Sequence, residues 1–113
     1  MAKTTSFPAA SVAHLEHLGS RIRIARKRRG LSAQALAEKV GVFRKTIEAL
    51  EAGKPGVSIG VVITVLWALG LDAALATLAD PDADTHGKAL EAARRPKRVR
   101  TAVPAKEEDQ HDF

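Results

Sequence analysis

Residues 33–52 read Ala-Gln-Ala-Leu-Ala-Glu-Lys-Val-Gly-Val-Phe-Arg-Lys-Thr-Ile-Glu-Ala-Leu-Glu-Ala and predict two short helices joined by a tight turn. The turn falls at Gly41, because a sharp helix stop needs a residue that tolerates positive φ. Apolar residues before and after it recur at the spacing of one helix face. These inward-facing residues are Leu36, Ala37, Val40, Ile47 and Leu50. The stretch therefore predicts a helix-turn-helix, with the small Ala37 where the two helices cross.

The composition narrows the class of protein. A chain of 113 residues has room for one small domain and its tails. It contains no Cys, so a disulfide frame and a thiolate metal site are excluded, which suits a reducing cytoplasm. No apolar run reaches the ~18 residues of a membrane span, and the first ten residues lack the apolar core of a signal peptide. We expect a cytoplasmic protein.

Charge is distributed unevenly along the chain. The formal net charge is +5, and residues 1–54 carry eleven Lys and Arg against four Glu, a net of +7. Residues 55–87 carry four Asp and no Lys or Arg, residues 88–100 return to +5, and residues 101–113 fall to −3. Positive charge therefore accompanies the helix-turn-helix, which favours an anionic partner.

Further helices are predicted on both sides of the motif. Periodic apolar residues indicate a helix at about 11–29, a fourth at 59–69 and a short fifth at 72–78. The fold class is thus all-α, a five-helix bundle. A last short helix is expected at 85–95, and the tail after Pro96 has few apolar residues to bury. We divide the chain into a flexible arm at 1–10, the helix-turn-helix domain at 11–79 and a C-terminal extension at 80–113 that ends in a disordered tail.

The predicted fourth helix is apolar nearly all round. Its β-branched content also permits a strand, but Ser58 as a cap and Gly70 as a stop favour a helix. Such a helix is expected to be buried on most sides. Trp67 within it is interpreted as core or dimer packing.

One ordered set of residues connects the chain to a known family. From about Leu18 to Leu71 the sequence resembles the five-helix DNA-binding domain of phage repressors and of xenobiotic-response-element-type bacterial regulators. The resemblance implies an ion pair between Arg26 and Glu51 that ties the first helix to the end of the third. It is carried by Ile22 to Arg26, Gly30-Leu31-Ser32, Leu36-Ala37, Val40-Gly41-Val42, Thr46-Ile47, Leu50-Glu51 and Gly53.

A narrower resemblance covers the segments beyond the motif. They are Gly53 to Gly60, Ala68 to Leu71, Asp84, Gly87 and Arg94 to Arg100. In this order they are similar to HipB-like antitoxins, which bind their own operator as dimers and hold a HipA-type kinase toxin in the same complex. This resemblance implies a homodimer in the bacterial cytoplasm, associated with the nucleoid, and a kinase partner. Two positions depart from the wider family: Ala33 replaces a Gln that contacts the DNA backbone, and Phe43 replaces a small polar helix cap.

The outward face of the second motif helix supplies the candidate base contacts. An α-helix fits the DNA major groove, where residues near its N-terminus reach base edges. Arg44 and Lys45 can donate to guanine, Glu48 can accept from a cytosine amino group, and Phe43 can pack on a thymine methyl. The alternative is that Arg44 and Lys45 are solvated charges and Phe43 is a core or interface residue.

Other candidate sites lie around this helix. The predicted contacts to the DNA backbone are Arg28, Arg29, Ser32, Gln34 and Lys54, and the predicted dimer interface includes Leu71, Leu75 and Leu78. The basic stretch Arg94 to Arg100 is a DNA-tracking arm, a docking peptide or a solvated tail. No metal site is predicted, although His14 and His17 lie one turn apart, and no cofactor is expected.

Two functions from different classes fit the sequence. The first is a dimeric, sequence-specific DNA-binding repressor, with an antitoxin role if a kinase joins it. The second is a protein-interaction module of the same fold that binds no operator. An enzyme is not predicted, because the chain offers no Ser/His/Asp set, paired carboxylates or Gly-rich phosphate loop.

Overall fold

Five α-helices and two short 3-10 helices make up the computed structural model, which describes residues 6–96. No strand occurs in that range, so the predicted all-α class is confirmed. The α-helices are α1 (Ala9–Arg28), α2 (Ala33–Val40), α3 (Arg44–Glu51), α4 (Ile59–Leu69) and α5 (Thr85–Arg94), and the 3-10 helices are Asp72–Thr77 and Pro81–Ala83. No helix in this part of the chain is long and apolar enough to cross a membrane.

The turn between α2 and α3 has the geometry that the sequence predicts. Gly41 adopts a left-handed conformation with φ of 79° at the end of α2. The N–H groups of Gly41 and Val42 both donate to the carbonyl oxygen of Ala37 at 2.9 Å. These two bonds satisfy a carbonyl that the helix leaves free, and they direct the chain sharply into α3.

The core is built by one side each of α1, α2, α3 and α4. Leu36, Ala37, Ile47 and Val65 have no measurable exposure. The remaining buried apolar residues are Ile22, Ala25, Leu50, Leu66 and Leu69. The inward stripes predicted for the helix-turn-helix therefore lie in the core, with Val40 and Val42 half-buried against it.

Arg26 is the buried charged residue of this core. Its Nε donates to Oε2 of Glu51 at 2.6 Å, and its Nη2 donates to Oε1 at 2.9 Å. A third bond runs from Nη1 to the carbonyl oxygen of Leu31 at 2.9 Å. The guanidinium thus joins α1, the loop before α2 and the last residue of α3.

Gly19 allows α1 and α3 to approach each other closely. A Cβ atom at this position would lie 2.5 Å from the carbonyl oxygen of Leu50 and 2.6 Å from that of Glu51. Only a residue without a side chain fits there.

Three predictions about the helices need correction. The helix α1 begins at Ala9 rather than Ser11, because Pro8 occupies the cap position, where its missing N–H costs nothing. The expected fifth helix is a 3-10 helix at Asp72–Thr77, a short connection between the left-handed Gly70 and the extended Leu78. The expectation that α4 is buried on most sides is wrong: Ile59 and Trp67 are 71% and 64% exposed.

The chain forms two compact units that divide between Leu78 and Ala79. In the second unit, Asp84 caps α5 by accepting a hydrogen bond from the N–H of Gly87 at 2.8 Å. None of the residues of α5 is buried, and Leu90 is 52% exposed. The predicted basic stretch Arg94 to Arg100 lies mostly outside the described residues, which end at Pro96.

Candidate nucleic-acid interface

Helix α3 has one buried side and one exposed side. Ile47 and Leu50 anchor it in the core, against α1 and α2. Phe43, Arg44, Lys45 and Glu48, the four candidate base contacts, are all exposed on the outer side. The same helix therefore provides both a rigid support and a free surface of the size that enters a DNA major groove.

The charged side chains of this surface differ in whether they form an ion pair. The Nε of Arg44 lies 3.4 Å from Oε2 of Glu48, one turn further along, and both side chains are more than half exposed. An exposed pair of this spacing is worth only about 0.3–0.5 kcal/mol, so a stronger acceptor can displace Glu48. Lys45 has no carboxylate within 4.0 Å in the described part of the chain. Both cations are thus available to an anionic partner.

Phe43 occupies the cap position of α3 in an unusual way. Its backbone is extended, with φ of −80° and ψ of 151°, and its side chain is 83% exposed and makes no cap bond. By contrast, the capping Ser32 and Ser58 accept bonds from the N–H groups of Ala35 and Val61. Because Phe43 lies outside the core, one of its two alternative readings, a core residue, is excluded.

Helix α2 begins close to this surface. Ser32 caps it, so the N–H groups of Ala33 and Gln34 in its first turn have no partner within the helix. The Nε2 of Gln34 donates to Oε2 of Glu38 at 2.9 Å, which turns its amide along α2. The start of α2 therefore offers backbone N–H donors, while the Gln34 side chain is hydrogen-bonded to Glu38.

A polar cavity lies between α1, the start of α2 and α3. It measures about 320 Å³, and Arg23, Ala33 and Glu48 lie in its wall. The short side chain of Ala33 leaves this space open. Arg23 is not among the predicted DNA contacts, because it is one of six cations in the dense basic stretch at 21–29 and no spacing distinguishes it.

The loop after α3 brings a second cation to the surface. Lys54 and Lys45 line the same open hollow of about 570 Å³, together with Thr46, Ala49 and the Pro55-Gly56 turn. Lys54 therefore lies beside the predicted recognition helix, where a backbone contact can accompany a base contact.

Arg28 and Arg29, two of the predicted backbone contacts, lie beside other residues than those of α3. They border a hollow with Arg21, Ile24 and Leu71 rather than with residues of α3. The Nη1 of Arg29 also donates to the carbonyl oxygen of Ala25 at 2.9 Å, which satisfies the end of α1. The structure thus brings Lys54 and the start of α2 to α3, and it does not bring Arg28 or Arg29 there.

No group of three or more His, Asp or Glu side chains that could hold a metal ion occurs within residues 6–96. Leu71, Leu75 and Leu78, the predicted dimer contacts, lie together in the wall of an apolar groove.

Comparison with known proteins places this architecture in a family. The helix-turn-helix domain family matches residues 17–79, which cover all four helices of the core except the first part of α1. The chain is also 41% identical over 70 residues to a protein of Sinorhizobium fredii (strain NBRC 101917 / NGR234) named as the uncharacterized HTH-type transcriptional regulator y4mF. That match spans 62% of this chain and 83% of the relative. The chain therefore belongs to the helix-turn-helix domain family, a non-enzymatic family of DNA-binding regulators.

Proposed function

We propose that this protein is a sequence-specific transcriptional repressor that binds its operator as a homodimer. The observation that carries the proposal is the outer side of α3, where Phe43, Arg44 and Lys45 are exposed on a helix held rigidly by Ile47 and Leu50. Each subunit would lay α3 in the major groove and read half-sites ~34–36 Å apart on one side of the DNA. Such a protein acts at the bacterial nucleoid.

The proposed contacts divide into two kinds. Arg44, Lys45, Glu48 and Phe43 reach base edges and determine sequence preference. Lys54, Ser32 and the first N–H groups of α2 bind phosphates and set the orientation of the domain. Arg28 and Arg29 are also proposed phosphate contacts, although they border a different hollow from Lys54.

A mobility shift with the protein's own promoter DNA, compared with scrambled DNA, tests this function. The double variant Arg44→Ala/Lys45→Ala is expected to lose the specific shift. A matched control, Lys39→Ala/Lys88→Ala, removes two exposed cations that are not among the proposed DNA contacts and is expected to keep the specific shift. If the wild-type protein and the control variant both fail to shift promoter DNA specifically, the second function, a protein-interaction module without operator binding, replaces the first.

We further infer an antitoxin role, in which the same protein holds a HipA-type kinase. The sequence resemblance to HipB-like antitoxins supports this role, and so does α5. An isolated helix of ten residues is marginally stable in water, and none of the residues of α5 is buried. The exposed Leu90 gives such a protein partner an apolar side chain to cover.

The kinase role is tested separately from operator binding. Leu90→Asp is expected to abolish binding to a HipA-type kinase encoded beside the protein, while the promoter shift is unchanged. The variant Ala92→Asp places the same charge at an exposed residue on another side of α5. It tests whether only the side that carries Leu90 binds the kinase. Unaltered kinase binding by both variants would remove α5 from the proposal.

A further inference from the structure

Helix α4 presents an uncovered line of large apolar side chains. Ile59, Ile63 and Trp67 are 71%, 41% and 64% exposed, and they recur at every fourth residue, on one side of the helix. The opposite side, with Val65, Leu66 and Leu69, is buried in the core. No charged residue occurs anywhere in α4. An uncharged line of this kind is unusual on a solvated surface and indicates a protein contact.

An apolar groove runs beside this line. It has a volume of about 390 Å³, and its walls come from α1, α4 and the segment after α4. Ile59 and Ile63 belong both to the line and to the groove. Except for Arg21, the lining side chains are apolar, and Leu71, Leu75 and Leu78 are among them.

The projecting line and the groove lie on the same side of the molecule, which favours a second copy of this chain as the occupant. A two-fold interface needs one surface that is complementary to itself, so that every contact is made twice. If two α4 helices cross antiparallel at Ile63, Trp67 of each copy lies opposite Ile59 of the other, because both are four residues from Ile63. Each indole then reaches the groove that Ile59 borders.

The composition of this exposed face also fits a dimer. A stable interface buries about 800 Å² on each partner, and its centre is depleted of charge and enriched in aromatic residues. Four large apolar side chains exposed by 41–71% border the groove, namely Ile59, Ile63, Leu71 and Leu78, and Trp67, which is 64% exposed, follows Ile63 on the same side of α4. None of them belongs to the exposed side of α3, so a second copy can cover them while α3 stays free.

We propose that a second copy of this chain covers the α4 face, with Trp67 of each copy seated in the apolar groove of the other. This inference rests on the proposed function and specifies its dimer. It moves the centre of the interface from Leu71, Leu75 and Leu78, which become the groove wall, to α4 and its exposed tryptophan.

Trp67 reports on its own burial, because it is the only Trp of the chain. On raising the protein concentration, we expect its emission to shift to the blue and its quenching by acrylamide to fall, in step with a doubling of mass by sedimentation. A mass that doubles while Trp67 stays accessible would overturn the proposal, since the dimer then forms through another surface. A monomer at all concentrations would overturn it as well.

Variants separate this surface from the DNA surface. Ile63→Glu keeps the tryptophan and is expected to raise the dissociation constant of the dimer at least tenfold, with helicity retained by circular dichroism. Phe43→Glu, a control at an aromatic residue that is even more exposed, is expected to leave the mass unchanged. If Ile63→Glu is misfolded, the wild-type fluorescence decides the question alone. A buried Trp67 without a specific promoter shift would contradict the repressor function only, whereas a specific shift with an accessible Trp67 would contradict the α4 interface only.

Discussion

Arg26 and Glu51 form a buried ion pair with two parallel hydrogen bonds of 2.6 and 2.9 Å. Their side chains are 10% and 8% exposed. The hydrogen bonds that Arg26 donates to Glu51 raise the pKa of Arg26 above its ordinary value, although burial opposes this. A raised pKa means that the stability supplied by the charged guanidinium is present at all pH values below its unfolded pKa and is lost only in strong alkali. The pair therefore holds α1 to α3 at every physiological pH.

Removing one member of this pair is expected to be costly. Glu51→Ala leaves the guanidinium buried with only the carbonyl of Leu31 as a partner, and we expect the free energy of unfolding to fall by about 3–5 kcal/mol. The control is Glu48→Ala, which removes the same residue type from the same helix but breaks the exposed pair with Arg44. It should change stability by less than about 0.5 kcal/mol. Urea unfolding of both variants gives the comparison, and equal losses would contradict a structural role for Glu51.

The close approach of α1 and α3 at Gly19 predicts a second difference in stability. Gly19→Ala places a Cβ against two backbone carbonyls, which cannot move aside as a side chain can, so α1 must shift. We expect a loss of about 3 kcal/mol or more, at the upper end of overpacking effects. Gly30→Ala serves as the control: its φ of 69° is unfavourable for Ala, but nothing lies within 4 Å, so about 1 kcal/mol is expected. Thermal unfolding that ranks Gly30→Ala as the worse variant would contradict this packing.

Residues 33–52 were predictable because each residue has a local physical reason to be where it is. A positive φ selects Gly41, and a period of 3.6 selects the apolar stripe. Gly19 was not predictable, since a Gly within a helix carries no signal of what lies opposite it. The exposure of Trp67 was also beyond the sequence, because an apolar helix shows that burial is favoured but not which side remains uncovered. The pairing of Arg26 with Glu51 came from family resemblance, since 25 residues separate them.

Phe43 is expected to lower the free energy of unfolding and to raise the affinity for the operator. Serine at this position would accept a hydrogen bond from the first turn of α3, as Ser32 does for α2 at 2.9 Å. Phe43→Ser should therefore raise the free energy of unfolding by about 0.5–2 kcal/mol. If the ring packs on a thymine methyl, operator affinity should fall by about tenfold at the same time. Ser32→Ala is the reciprocal control and should lose stability. A stabilised Phe43→Ser that binds the operator as tightly as the wild type would show that the exposed ring has no role in recognition.

Base and phosphate contacts on the α3 surface predict different responses to salt. Each phosphate contact releases a condensed counterion, so operator affinity should fall steeply as salt rises. Lys54→Ala should weaken binding to all sequences alike and reduce the slope of log affinity against log salt by about one. Arg44→Ala should instead relax preference at one base pair, at about 1–3 kcal/mol of discrimination. Fluorescence anisotropy with operator and single-substituted duplexes, at four salt concentrations, separates the two effects.

The control is Lys39→Ala, which lies outside the α3 surface and should change neither the salt slope nor the sequence preference. Because Lys45 and Lys54 border one hollow, a reduced slope for Lys45→Ala with unchanged sequence preference would reassign Lys45 from bases to phosphates.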